Sequence, residues 1–269
     1  MSSAHRSAWR AGALAAGVLA LIGGRLSAAA PSAAEQARFI EAARQIALEY
    51  GKSLPDFLCT QTIRRYRIFF TGRERLLDTL TVEVSFERQS DRYELTSVNG
   101  QGPGPLPDAF GALSTGEFGT NLLRVFGSKA EFHFERWTTI TLRPAAVYSY
   151  RVARSESPYQ LILHDSVAGK ESSATVGLRG EVVFDRESHA VLRFQYRSAE
   201  VPASFPMRSD STVEYDYVAL GNKNYLLPVK ATLVTISGVD RARNEVEFHS
   251  YRKFTSESKV TFADPRPEP

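Results

Sequence analysis

Leu192-Arg193-Phe194-Gln195-Tyr196-Arg197 decides the fold of this chain. Leu192, Phe194 and Tyr196 share one face of a strand, and Arg193 and Arg197 take the other. Three similar stretches follow. Val213, Tyr215 and Tyr217 oppose Glu214 and Asp216; Leu227, Val229, Ala231 and Leu233 oppose Lys230; Val246 and Phe248 oppose Glu245 and Glu247. Side chains alternate at period 2 along a strand, so each stretch has a dry face and a wet face. The sign on the wet face alternates from one strand to the next. Opposite charges attract across neighbouring strands and like charges repel, so sequential antiparallel pairing, a meander, satisfies all four.

Working outward, turn signals at Glu187-Ser188-His189 and Gly221-Asn222-Lys223-Asn224 separate these runs, and Pro202 to Pro206 reads as a longer connection. About eight strands are expected from Glu131 to Phe262. Three more precede them: Phe57 to Phe70, Leu80 to Glu87 and Arg92 to Val98. Upstream, Ser32 and Glu35 have capping-box spacing, and Phe39, Ile40, Ala43, Ile46, Ala47 and Tyr50 recur at helical spacing. Gly51 is expected to end that helix in a left-handed conformation. A second capping box, Ser114 with Glu117, precedes Phe118, Leu122, Leu123, Val125 and Phe126, with Gly127 as the stop.

The hairpin Gly180-Glu181-Val182-Val183-Phe184-Asp185 … Ala190-Val191-Leu192-Arg193 resembles an element of bacterial lipoprotein carriers of the Lol-like superfamily, which also holds periplasmic stress-sensing regulators. Leu58-Cys59-Thr60-Gln61, Ser114-Thr115-Gly116-Glu117-Phe118-Gly119 and Tyr251-Arg252-Lys253-Phe254 resemble segments of a set of secreted bacterial proteins with no assigned function. The first resemblance implies an incomplete β-barrel around helices, with an apolar cavity for acyl chains and no catalytic residue. The expected fold is therefore mainly β with helices: a curved antiparallel sheet packed on an N-terminal helix and a helical insertion.

Residues 1–30 read as a signal peptide, with Arg6 and Arg10 before an uncharged run from Ala11 to Ile22 and small residues at Ser27 to Ala30. Cleavage near Ala28 or Ala30 is favoured over retention as an anchor, which places the mature chain in the periplasm or outside the cell. Residues 31–263 then form a single Lol-like β domain, and 264–269 a Pro-rich disordered tail. Three arginines and no acid lie in residues 1–30, so the rest carries 30 residues of each sign. A neutral mature chain has no electrostatic footprint for nucleic acid. Arg64, Arg65 and Arg67 read as a solvated strand face. The only cysteine, Cys59, excludes an intramolecular disulfide and reads as a small buried hydrophobe.

Catalytic patterns are missing. There is no Gly-x-Ser-x-Gly elbow and no His-Glu-x-x-His. His133, His164, His189 and His249 are dispersed, and His164 and Asp165 point to opposite faces of a strand, so no metal site is expected. Gly100, Gly102 and Gly104 are interrupted by Pro103, Pro105 and Pro107, which suits a plain loop rather than a phosphate cradle. The acid pairs Glu214/Asp216 and Glu245/Glu247 suit cross-strand ion pairs. The remaining signal is aromatic. Phe132, Phe134, Tyr148, Tyr150, Phe194, Tyr196, Tyr215, Tyr217 and Phe248 either fill a core or line a ligand cavity. The leading expectation is a non-enzymatic binding protein or carrier, without cofactor, holding a lipid or acyl chain, with Thr115 to Phe126 as a lid. The alternative is a cell-envelope interaction or sensor module that has a filled core and binds an envelope protein.

Overall fold

A capping box at Ser32 starts the first described helix. Ser32 Oγ accepts from the Glu35 N–H at 3.3 Å, and the Glu35 carboxylate accepts from the Ser32 N–H at 2.7 Å. These bonds hold the Glu35 carboxyl below its ordinary pKa. Helix α1 (Ala33–Ser53) follows. The computed structural model describes residues 29–104, 115–165 and 170–254. The signal-peptide expectation for 1–28, Ser114, and the tail lie outside them.

After α1 come β1 (Phe57–Ile68), β2 (Glu74–Glu87), β3 (Ser90–Val98), α2 (Thr120–Phe126), β4 (Glu131–Ile140) and β5 (Arg143–Val152). A hairpin of β6 (Gln160–Asp165) and β7 (Lys170–Thr175) stands apart. Then follow β8 (Gly177–Asp185), β9 (Val191–Ala199), β10 (Met207–Leu220), β11 (Lys223–Ser237) and β12 (Asp240–Lys253). Ten strands make one antiparallel sheet in the order β3-β2-β1-β12-β11-β10-β9-β8-β5-β4, open at β3 and β4. Strands β8 to β12 form the expected meander. Its charges line up: Arg193 lies opposite Glu214, Glu214 opposite Lys230, and Lys230 opposite Glu247.

Two phenylalanines on one short segment show that the sheet curls. Phe118 packs on Phe86 of β2 and Phe57 of β1, while Phe126 packs on Phe132 of β4. In a flat sheet β2 and β4 would lie about 38 Å apart, eight spacings of about 4.8 Å. Eight residues of helix span only about 12 Å. The sheet must therefore wrap around the two helices, an incomplete barrel with its apolar core on the concave side.

Several expectations are corrected. Gly51 lies inside α1, which ends two residues later with Leu54 extended. Its missing side chain serves close approach instead, because the segment before α2 passes directly over it. A Cβ on Gly119 would sit 3.2 Å from the Gly51 Cα. Helix α2 starts later than the Ser114 cap expected for it: Gly119 occupies its N-cap with φ 127° and no side-chain bond. Nine strands, not about eight, follow residue 130 within the described residues. Leu192 leaves the core face. The register shifts between Val183 and Phe184, so Val191 joins the core while Leu192 packs with Ala145, Val147 and Val183 on the other side. A bulged strand carries one extra residue and reverses the facing beyond it. Val229 is such an extra residue, since Glu214 pairs with Lys230 and Tyr215 with Pro228.

Arg65 is not solvated. It points into the core beside Ile63, 1% exposed, and is held by Asp78 directly across on β2 through bonds of 2.7 and 2.6 Å. Arg64 and Arg67 do face solvent, paired with Glu247 and Asp240. Removing one partner of a buried pair strands the other charge and costs about 3–5 kcal/mol. Asp78→Ala is expected to lower unfolding free energy by about that amount in urea titrations, and Arg65→Met with Asp78→Leu by less. Equal losses would show that the charge pairing carries no weight.

Candidate functional site

The concave face is where the candidate aromatics collect. Tyr148, Tyr150, Phe194, Tyr196, Tyr215 and Phe248 are buried, and Phe132 and Phe134 are half-buried against them. Tyr217 does not join them. After the bulge beside Tyr215, Val218 turns to the core, and Tyr217 is 38% exposed with the Arg143 guanidinium 4.6 Å above its ring.

Among the described residues, the eight that converge are largely covered by the two helical segments. Helix α1 lies across them: Phe39 stacks on Tyr148 at 5.4 Å, and Tyr50 meets Tyr215 edge-on at 5.7 Å. The α2 segment covers the rest, with Phe126 stacked on Phe132 at 5.3 Å and Phe118 edge-on to Phe248 at 5.7 Å. Tyr150 and Phe194 stack at 5.7 Å. Two small voids lie at the seams of α2. One of about 80 Å³ lies between α1 and α2 beside Gly51, Gly119 and Phe118. Another of about 190 Å³ lies between α2 and the sheet beside Asn121, Tyr159, Tyr196 and Leu233. Both are smaller than the roughly 300–1,000 Å³ typical of ligand pockets.

The α2 segment also brings polar groups into this apolar interior. Glu117 and Asn121 are 1% and 3% exposed. Asn121 donates to the Tyr196 hydroxyl at 3.1 Å and to the Thr115 carbonyl at 3.0 Å, and its own oxygen accepts from Arg124. The Tyr215 hydroxyl donates to the Glu117 carbonyl at 3.0 Å, and Tyr93 reaches the Glu117 carboxylate at 3.4 Å. From the other side, Arg44 of α1 donates to the carbonyls of Phe126 and Ser128. Sequence reasoning missed Glu117 and Asn121 as functional groups. The available signal was an Asn inside the stripe Phe118 to Phe126, where a core helix needs no amide.

No protein-family model matches the chain. No curated protein is similar to it in sequence. Among solved structures, it is similar to a LolA-superfamily protein from Nitrosomonas europaea, with 10% identity and a TM-score of 0.35 over 81% of this chain and 93% of the other. It is also similar to a domain described as an outer membrane lipoprotein-sorting protein domain from Vibrio parahaemolyticus, with 12% identity and TM-score 0.34 over 81% and 92%. A DUF1329-family protein from Desulfovibrio piger gives 7%, 0.37, 81% and 94%. At these TM-scores the likeness assigns neither a family nor a ligand.

Burial also perturbs the ionisable groups here. It pushes the Cys59 thiol and the Tyr148 hydroxyl each up to about 12, and it moves Tyr150 and Tyr215 well above the ordinary tyrosine value. The unfolded chain releases these protons first, at about 9 for the thiol and 10 for the phenol. Their contribution to stability is therefore intact below pH 9 and is lost as pH rises toward 12. Denaturation series between pH 8 and 11 are expected to show falling stability, less steeply in Cys59→Ala with Tyr148→Phe (windows from the shifts above). Cys59 is expected to resist a thiol reagent in the folded protein and to react at once in denaturant. Reaction at equal rates in both would place the thiol at the surface.

Proposed function

We propose that this chain is a non-enzymatic extracytoplasmic binding protein that takes a lipid or acyl chain between the concave sheet face and the 115–127 segment. Residues 31–263 would be the binding domain, released after removal of a signal peptide in 1–30. The observation that supports this reading most is the set of buried hydrogen bonds joining α2 to the sheet. A segment that only filled a core would be held by apolar contacts. Polar groups that meet Tyr196 and Tyr215 when closed exchange those partners for water when open, so they set the closed geometry and add about 0.5–1.5 kcal/mol each to the cost of opening.

Magnitudes support a closed empty state. Withdrawing Phe118, Leu122, Val125 and Phe126 into water costs about 1.5–3 kcal/mol each, so about 6–12 kcal/mol together. An acyl chain covering the vacated surface returns about 0.8 kcal/mol per methylene, so a chain of 12 to 16 carbons offsets about 10–13 kcal/mol. The interior therefore stays filled without ligand and opens when an apolar chain replaces α2. The nine aromatics proposed for the ligand reduce to eight, without Tyr217. The filled aromatic interior also favours a second reading, an envelope interaction module that never opens.

Native and denaturing mass spectrometry of the chain from Pro31 onward separates the two. A lipid-sized adduct that leaves on denaturation supports the carrier; a bare mass after incubation with envelope lipids supports the module. Weakening the latch with Asn121→Ala and Tyr196→Phe should lower the closed-state advantage by about 1–2 kcal/mol. Apparent affinity for an apolar dye should then rise about fivefold to thirtyfold, because less free energy goes into opening. Unchanged affinity would show that α2 does not gate the interior.

A further inference from the structure

The convex face carries an arrangement that stability alone does not favour. Arg151 on β5 lies directly opposite Arg179 on β8, and Arg179 directly opposite Arg197 on β9. Like charges in direct cross-strand register repel. One step nearer the sheet end, Arg208 on β10 lies opposite Ile236 on β11, and Ile236 opposite Arg241 on β12. The two rows border a groove of about 800 Å³ with Val234 and Ile236 among its lining. Only two of the five guanidiniums are neutralised there: Arg151 by Glu200 at 2.6 Å and Arg197 by Asp210 at 2.8 Å. Arg179, Arg208 and Arg241 are exposed and have no acidic partner among the described residues.

A second observation comes from the same end of the sheet. Ile68 lies opposite Arg241, so the β1–β2 turn and the β11–β12 turn border the second row. Phe70 in the first turn is 99% exposed and Val239 in the second 95%. The guanidiniums of Arg67 and Arg75 each lie 6.0 Å from the ring of the neighbouring Phe69. The sheet end thus presents two exposed apolar tips, with Arg75 and the Asp240-paired Arg67 beside neighbouring Phe69, next to a cationic groove with an aliphatic lining.

We infer that this end of the convex face docks on an anionic phospholipid surface, its arginines on lipid phosphates and Phe70 and Val239 in the interfacial layer. A free anion would engage the arginines and leave the tips without a role. The apolar tips and guanidiniums together match a membrane interface, where aromatic and aliphatic side chains enter and cations meet phosphate. The inference goes beyond the carrier reading and does not require it, because a protein with a permanently filled interior has the same convex face.

Vesicle flotation tests it, with the chain from Pro31 onward and vesicles of phosphatidylglycerol and phosphatidylethanolamine, or of phosphatidylcholine alone. Binding is expected to the first and not the second, and to be lost at about 0.5 M salt, where charges are screened within a few ångströms. Arg179→Glu, Arg208→Glu and Arg241→Glu together should reduce the bound fraction about tenfold or more, at roughly one phosphate contact per arginine. Phe70→Ser with Val239→Ser should weaken binding and leave its salt dependence in place. All five positions are exposed, and unchanged circular dichroism confirms the folded variants; Arg→Gln replaces Arg→Glu if the triple variant fails to fold. No binding to phosphatidylglycerol vesicles, equal binding to phosphatidylcholine, or full binding by the triple variant overturns the inference. Capture of inorganic polyphosphate without vesicle binding also overturns it, reducing the groove to a free-anion site. Dye uptake measured on the same samples reports separately on the carrier reading.

Discussion

The structure depends on the contact of one apolar segment with both wings of an open sheet. Phe118 packs against β1, β2 and β12, and Phe126 against β4 and β8. Ten strands left open at both edges have no closing hydrogen bonds to hold their curvature. The helices supply that restraint instead, because burying Phe39, Tyr50, Phe118 and Phe126 requires aromatics from distant strands to reach the same place. Curvature and core filling are thus one event. Anything that displaces α2 must also supply apolar contact to both wings, or the wings lose the reason to curl.

The meander was legible in the sequence because β8 to β12 combine strict alternation with alternating sign, and neighbours in sequence are neighbours in the sheet. The insertion of β1 between β2 and β12 was not legible, since Arg64 and Glu247 lie far apart in the chain and pattern alone does not select partners. Local errors share a cause. Leu192, Tyr217 and Val229 were assigned by counting in twos, and each sits at or just beyond a register shift that the count does not see. Arg65 was read by its charge, whereas its parity with Cys59 and Ile63 already placed it on the core side; only Asp78 across the ladder makes that position tolerable. Gly51 was read as a helix stop because the close passage of Gly119 is a tertiary fact.

For the candidate site, the aromatic set was legible but its state was not. Alternation shows that a face is dry; it does not say whether a helix or a ligand keeps it dry. The more informative residues were Glu117 and Asn121, which break an apolar stripe. Buried polar groups are retained at a cost unless each finds a partner. Here Tyr93, Tyr196 and Tyr215 provide partners from the sheet at distances of 3.0 to 3.4 Å, and Arg124 of α2 donates to the Asn121 oxygen. Of the tyrosines expected to line a cavity, Tyr196 and Tyr215 thus commit their hydroxyls to the segment that covers it, while Tyr150 donates to the Gln195 carbonyl.

The convex face resolves charge in two different ways. Along the meander, Arg193, Glu214, Lys230 and Glu247 alternate, so every strand pairing is favourable. On the same convex side nearer the sheet end, Arg151, Arg179 and Arg197 stack with the same sign, although the same meander had room for an acid at Arg179. A sequence selected only to fold would place an acid at the middle strand, as it does at Glu214. The repulsion is tolerable because the guanidiniums are exposed and screened, at a small cost of a few tenths of a kcal/mol per pair. Among the described residues Arg179 finds no acid to offset that cost, and the proposed anionic surface would supply one. Phe70 and Val239, exposed at the same end with no partner in the core, have the same need. One anionic, partly apolar surface satisfies both.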